Sequence, residues 1–192
     1  MVTKGYANCS EGQVHYREAG SADKPVICFF HQTASSSAMY EKVMMSLAND
    51  YHCYAFDSPG FGGSYHPKAI PDIAFLSDRL LEAIEDLGIT SFHACGHHTG
   101  GCIAMEMPGK APEKVASLSV IGPVLVNEEE KVEYMKTFVQ PFKIEPTGEF
   151  LSTAWGYLKM IGASTTLDLH NRELVDHLIA HETMPMAFTA VW

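Results

Sequence analysis

The sequence is short of basic residues and of long apolar runs. It has 13 Lys and Arg against 23 Asp and Glu, a formal net charge of -10. Nucleic acids and anionic membrane surfaces attract cationic proteins, so this balance argues against both as partners. No apolar run approaches the ~18 residues of a membrane-spanning helix. Residues 1–20 also lack the apolar stretch of a secretory signal, and we therefore expect a cytoplasmic protein.

The sequence also lacks metal-binding and cofactor-binding motifs. Its five cysteines form no CxxC pair and no zinc-ligand spacing. Cys28, Cys53 and Cys95 each lie in an apolar, strand-like run, where a small buried thiol is expected. Gly60-Phe61-Gly62-Gly63 lacks both the GxGxxG spacing and the acidic residue of a dinucleotide site. The sequence thus predicts a reduced protein without a bound cofactor.

With 192 residues, 46% of them apolar, the chain is long enough for one globular domain with a sizeable core. Apolar strand-like runs alternate with helical patterns up to Pro123. The predicted strands are 5–9, 13–19, 25–30, 51–56, 91–95 and 115–121, and the predicted helices begin near 39, near 72 and at 99. This alternation is typical of the α/β class, with a mostly parallel sheet flanked by helices. The first two strands, joined by a short turn, are predicted to form a hairpin.

Beyond Pro123 the pattern changes to helices alone. They are predicted over 128–140, 149–161 and 171–181, and in the third Leu174, Leu178 and Ile179 form a partial apolar face. The sequence therefore predicts a core over residues 1–123 and a helical cap over 124–192. Because the last residues, 188–192, are apolar, we expect further core strands to follow them.

The motif that organises the chain is Gly96-His97-His98-Thr99-Gly100-Gly101. It follows an apolar run and precedes a helical segment, which is the strand, sharp turn and helix of a nucleophile elbow. The usual pattern is G-x-S-x-G, and here His98 takes the position of the serine. Glycines on either side allow a strained central residue and close approach of strand and helix.

Several segments together resemble the α/β-hydrolase superfamily. They are the strand ending at His31, the turn Asp57 to Ser64 (DSPGFGGS), the elbow, and Leu118 to Pro123 (LSVIGP). The resemblance covers residues 13–123. It implies a hydrolase acting on a small-molecule substrate that binds between sheet and cap.

The resemblance also implies which residues form the site. His31 matches the histidine of the family's oxyanion loop, and Gln32 replaces the glycine that usually follows it. The backbone N–H groups of Thr33 and Thr99 would then stabilise an oxyanion. His98 would be the reactive side chain, and His31 and Gln32 would belong to the substrate-binding loop.

Two departures from the family pattern leave alternatives open. His98 can act as a base or as a nucleophile near neutral pH, or it can mark a non-catalytic small-molecule binder. The strand ending at Ile121 is followed by Gly122 and Pro123 where an acid is expected. The family's acid and distal histidine would then lie beyond Trp192.

Other interpretations compete for particular residues. His31, His97 and His98 can be combined as a metal cluster, but adjacent histidines at a turn should diverge, and His97 fits better as a packing residue. Asp57 ends a strand where catalytic acids occur, whereas the resemblance gives it a structural role in the turn that follows. We predict an enzyme acting on a small apolar ester or lactone. Its last strand has an open edge, which favours a homo-oligomer or pairing with another chain.

Overall fold

A computed structural model describes residues 1–69, 71–138, 144–163 and 165–191. The six strands are β1 (Thr3–Cys9), β2 (Gly12–Ala19), β3 (Val26–Phe30), β4 (His52–Phe56), β5 (Phe92–His97) and β6 (Val115–Ile121). They form one sheet in the order β1-β2-β4-β3-β5-β6. Strands β3 to β6 run parallel, and the hairpin β1-β2 joins β4 in antiparallel orientation. The predicted α/β class and the mostly parallel sheet are confirmed.

Seven helices accompany the sheet in the described part of the chain: α1 (Glu41–Leu47), α2 (Ile73–Asp86), α3 (Thr99–Lys110), α4 (Glu128–Phe138), α5 (Glu149–Met160), α6 (Leu167–Ile179) and α7 (Thr183–Val191). Helix α2 shows how sequence pattern becomes structure. Asp72 caps its start by accepting a hydrogen bond from the Phe75 N–H, and Gly88 ends it with a φ of +71°. The helix buries Leu76, Leu80 and Ile84, which recur at helical spacing and form one apolar face.

Helices cover both faces of the sheet. On one face, α2 and α3 pack against Phe30, Phe56 and Phe92 in the main apolar core. On the other face, Met44 of α1 packs with Phe29. Burying each such side chain contributes roughly 1.5–3 kcal/mol. The two layers together fix the ends of the parallel strands, where the site forms.

Four helices follow β6 in the described residues, and we refer to them as the cap. Helix α6 begins at Leu167, four residues before the predicted start at Asn171, because Thr166 caps it by accepting a hydrogen bond from Leu169 N–H. Helix α7 was not predicted. It joins cap to core through a cluster of buried apolar residues: Ala34, Phe61, Ala180, Met184, Ala187 and Phe188. The predicted end of the first cap helix, residues 139–140, and Trp192 lie outside the described residues.

No helix in the described ranges is both long enough and apolar enough to cross a bilayer.

Candidate active site

His98 lies at a sharp turn between β5 and α3. Its φ is 53° and its ψ is -115°, and among the described residues it is the only non-glycine with positive φ. A Cβ atom on Gly96 would lie 2.1 Å from the carbonyl oxygen of Gly100, and one on Gly100 would lie 2.1 Å from that of Phe30. A Cβ on Gly101 would keep 3.3 Å from Pro123. The elbow conformation therefore depends most on Gly96 and Gly100.

The imidazole of His98 lies in a partly buried environment. Its Nδ1 atom is 3.3 Å from the hydroxyl oxygen of Thr99. Burial lowers the pKa of His98, and the adjacent His97 lowers that pKa further. His98 is therefore neutral at pH 7. A neutral imidazole can accept a proton or attack a carbonyl carbon.

The two threonines predicted to stabilise an oxyanion lie side by side. The hydroxyl oxygens of Thr33 and Thr99 are 2.8 Å apart. Thr99 is the first residue of α3, so its N–H belongs to the unpaired, partly positive end of a helix. The structure thus brings both residues to the elbow. Their role in catalysis stays a prediction.

A cavity of about 450 Å³ separates the elbow from the cap. The core contributes Gln32, Thr33 and His98 to its wall. The segment after β6 and the cap contribute the rest: Gly122, Pro123, Val124, Leu125, Val126, Tyr134, Tyr157, Ile161, Ala163, Glu173, His177 and Phe188. This volume suits a small organic substrate, and most of the wall supplied after β6 is apolar.

His31 supports the site without lining the cavity. Its Nδ1–H donates to the carbonyl oxygen of Gln32 at 2.8 Å, and its Nε2 accepts from the N–H of Ser58 at 2.9 Å. Burial lowers the pKa of His31, although nearby Asp57 opposes this shift. Because both ring nitrogens are engaged by backbone groups, His31 positions the loop that carries Gln32. Among the described residues of the cavity wall His31 is absent, and its part in substrate binding stays a prediction.

The same contacts of His31 leave no nitrogen for a metal ion. Across the described ranges, no group of three His, Cys, Asp or Glu side chains is arranged to hold one.

Asp57 organises the turn that follows β4. One carboxylate oxygen accepts from the N–H of Ser37 at 2.6 Å, and the other accepts from the N–H of Gly63 and from Nδ1 of His15, each at 2.8 Å. Burial alone would raise the pKa of Asp57. The hydrogen bonds and the nearby His31 outweigh it and hold that pKa well below its ordinary value. These contacts agree with the structural role that the resemblance implies.

Sequence reasoning missed the polar residues that helix α6 turns inward. It predicted an inward face of Leu174, Leu178 and Ile179, but Ile179 is 41% exposed. The buried residues are instead polar: His170, Glu173, Asp176 and His177. Their i, i+3, i+6 and i+7 spacing was visible in the sequence. A polar stripe usually faces solvent, so the spacing alone did not indicate burial.

Partners on the core and cap explain why this polar face is buried. The hydroxyl groups of Ser35 and Ser36 donate to Glu173 at 3.2 Å and to Asp176 at 2.9 Å. Arg172 also donates to Glu173, at 2.5 Å. Buried polar groups are tolerated when they are hydrogen-bonded. These bonds tie the cap to the loop that carries Gln32 and Thr33.

The two buried histidines of α6 bond to backbone carbonyl groups. His170 donates from Nε2 to the Trp155 carbonyl at 3.1 Å, and His177 donates from Nδ1 to the Glu173 carbonyl at 2.8 Å. Burial lowers the pKa of His177, while the Glu173 carbonyl and carboxylate oppose that shift. His177 is therefore neutral at pH 7.

Comparison with known proteins gives consistent similarities. Residues 25–160 match a family model described as alpha/beta hydrolase fold. A haloalkane dehalogenase of Bradyrhizobium diazoefficiens is 34% identical over 108 residues, which cover 54% of this chain and 34% of that protein. Epoxide hydrolase 1 of Caenorhabditis elegans is 28% identical over 115 residues, 59% of this chain and 28% of that protein. The aligned part is therefore about a third or less of these relatives' length.

The overall architecture is also similar to solved structures. Cfl2 from Burkholderia cenocepacia superposes with a TM-score of 0.82 at 20% identity, over 99% of this chain and 71% of that one. At this identity the likeness supports the fold alone.

Proposed function

Because the chain belongs to the α/β-hydrolase family, we propose that it hydrolyses a small, largely apolar ester or lactone in the cavity between elbow and cap. The observation that carries this proposal is the strained conformation of His98 at the wall of that cavity. Strain at a non-glycine residue has to be maintained by its surroundings, and it is concentrated at functional sites. His98 is the reactive side chain.

The chemistry follows from the neutral imidazole. As a base, His98 takes a proton from water while the water oxygen attacks the substrate carbonyl carbon. As a nucleophile, it attacks that carbon directly. Either route moves negative charge onto the carbonyl oxygen, where the N–H groups of Thr33 and Thr99 donate hydrogen bonds.

The cavity wall supports an apolar substrate. The segment 123–126, Ile161 and Phe188 surround the space next to the elbow. Two relatives are named for haloalkanes and epoxides, which are small electrophiles. A cavity of about 450 Å³ accepts molecules in this size range.

The test is cleavage of short-chain 4-nitrophenyl esters and small lactones by the 192-residue chain. His98→Ala should lower kcat/KM by about 100-fold or more, the range attributed to acid–base groups. The variant should keep its melting temperature, because the flanking glycines set the backbone. His66→Ala is the matched control for background imidazole catalysis, since His66 is an exposed histidine.

Equal turnover by His98→Ala and the unmodified protein would refute the catalytic role of His98. The alternative function, a non-catalytic binder of small molecules, would then be favoured. It predicts saturable binding of the ester without cleavage.

A further inference from the structure

Helix α6 places two buried titratable groups in the same cavity wall as His98. Glu173 and His177 are each 4% exposed and are one turn apart on the helix. Both line the cavity. A buried histidine and a buried carboxylate in a cleft are candidates for a functional role, because their burial is costly.

The tautomer of His177 is fixed by its neighbour. Its Nδ1 lies 2.8 Å from the Glu173 carbonyl oxygen, which can only accept a hydrogen bond. The ring proton is therefore on Nδ1, and Nε2 carries the lone pair. His177 is thus prepared to accept a proton through Nε2.

A nucleophilic His98 creates a need for a second base. When its ring nitrogen attacks an ester, the new N–C bond forms, the C–O bond breaks, and the departing alkoxide takes the ring proton. An acyl-imidazole and an alcohol result. In that intermediate one nitrogen of His98 is acylated and the ring has lost its proton, so His98 is a poor base for the water that must follow.

Resting on the proposed function, we propose that His177 is the base that activates water to hydrolyse acylated His98. The water oxygen attacks the acyl carbon while Nε2 of His177 takes its proton. The C–N bond then breaks, and the His98 ring leaves with the proton that His177 returns. A carboxylic acid is released, and both histidines are neutral again.

The groups around His177 favour it over Glu173 as this base. Among the described residues, those of the cavity wall that are charged or titratable are Glu173 on the same helix, Tyr157 on α5, Tyr134 on α4 and His98 at the elbow. Glu173 already accepts hydrogen bonds from Ser35 and Arg172 through one carboxylate oxygen. The Tyr157 ring lies 6.1 Å from the ring of His177. Since burial lowers the pKa of His177, its ring is neutral and able to accept a proton at pH 7.

The test separates the two half-reactions with 4-nitrophenyl acetate. In His177→Gln, the first-turnover burst should stay within about 3-fold of the unmodified protein, whereas the steady-state rate should fall by about 100-fold. Mass spectrometry should then find one acetyl group on His98. His170→Gln is the matched control, because His170 is buried on the same helix face but bonds to the Trp155 carbonyl. It should leave both phases unchanged.

A second variant covers the case in which His177→Gln does not fold. Glu173→Gln removes the carboxylate that raises the pKa of His177. The pH midpoint of the steady-state rate should therefore move to lower pH. The midpoint of the burst should stay in place, since burial and His97 account for the shift at His98.

The outcomes distinguish this inference from the proposed function. An unchanged steady-state rate in His177→Gln, or an unchanged steady-state midpoint in Glu173→Gln, overturns the role of His177 alone. Full turnover by His98→Ala overturns both.

Discussion

The strained backbone at His98 is maintained by neighbours that have no side chain. Gly96 and Gly100 let β5, α3 and the end of β3 approach so closely that a Cβ atom at either position would overlap a carbonyl oxygen. The contact between Gly96 and Gly100 is local, and so the glycine pattern predicted the elbow from sequence, although the approach of Gly100 to Phe30 is not local. The role of His31 was harder to predict, because its two backbone partners, Gln32 and Ser58, lie on different loops.

Replacing Gly96 by alanine should destabilise the protein by about 3 kcal/mol, because its Cβ would lie 2.1 Å from the Gly100 carbonyl oxygen and force the backbone apart. Urea unfolding followed by circular dichroism measures the change. Gly109→Ala is the control, since Gly109 lies in the adjacent helix α3 with nothing within 4 Å of an added Cβ. It should be neutral or stabilising by up to about 1 kcal/mol. Equal midpoints for the two variants would contradict this account of the elbow.

At the level of the element, helix α6 carries two competing stripes. Leu174, Leu178 and Ile179 form one, and the buried polar residues form the other. The helical periodicity of the sequence shows both stripes, but it does not show which of them is buried. The polar stripe is buried because Ser35 and Ser36, which lie far away in sequence, donate hydrogen bonds to it.

The sequence did not predict helix α7, and the reason is different. Its sequence, Thr183–Val191, is apolar at most positions, so it has no polar face to reveal a helical period. Contacts with Ala34 and Phe61 in the folded chain bury one side of it.

The stability of the contact between α6 and the core should depend on pH through Asp176. Burial raises the pKa of Asp176 from 3.8 to about 6, although the Ser36 hydroxyl opposes the shift. A raised carboxyl pKa means that the folded state binds the proton more tightly. The stabilisation of the fold by protonated Asp176 is therefore fully present below pH 3.8, and it is lost as pH rises through about 6.

Asp176→Asn should prevent this loss of stability at high pH, because asparagine resembles the protonated acid and still accepts the Ser36 hydrogen bond. We expect the variant to be more stable than the unmodified protein at pH 7.5 by about 3 kcal/mol, since each pKa unit corresponds to about 1.4 kcal/mol, with the difference vanishing below the ordinary pKa of 3.8. Unfolding free energies measured across this range give the difference curve. Asp168→Asn, which removes an exposed carboxylate of the same helix, should give a flat curve. A flat curve for Asp176→Asn would rule out this linkage.

At the scale of the whole molecule, the alternation of strands and helices sufficed to predict the α/β class and the mostly parallel sheet. The cavity could not be predicted in the same way. Its wall combines the loop after β3, the elbow, the segment after β6 and residues of all four cap helices. Which side chains of such distant segments meet is decided by packing, and no local pattern encodes it.

The sheet has an exposed edge at β6, and we expect it to drive association. Within the described residues β6 pairs with β5 alone. Leu118, Val120 and Ile121 on this strand are 40%, 39% and 55% exposed. An exposed apolar strand with unpaired backbone groups is a template for pairing with another chain. Light scattering of the 192-residue chain should therefore show a mass that rises with concentration.

A lysine at the edge should suppress this association, because a charge on the paired strand would have to be desolvated. Val120→Lys should shift the light-scattering mass towards the monomer by weakening the association at least about 10-fold, an effect of about 1.4 kcal/mol. Val132→Lys on α4 is the control, since Val132 is 55% exposed but lies on a helix. It adds the same charge away from the strand and should leave association unchanged. If both variants reduce association equally, net charge is the cause and the β6 edge is not the interface.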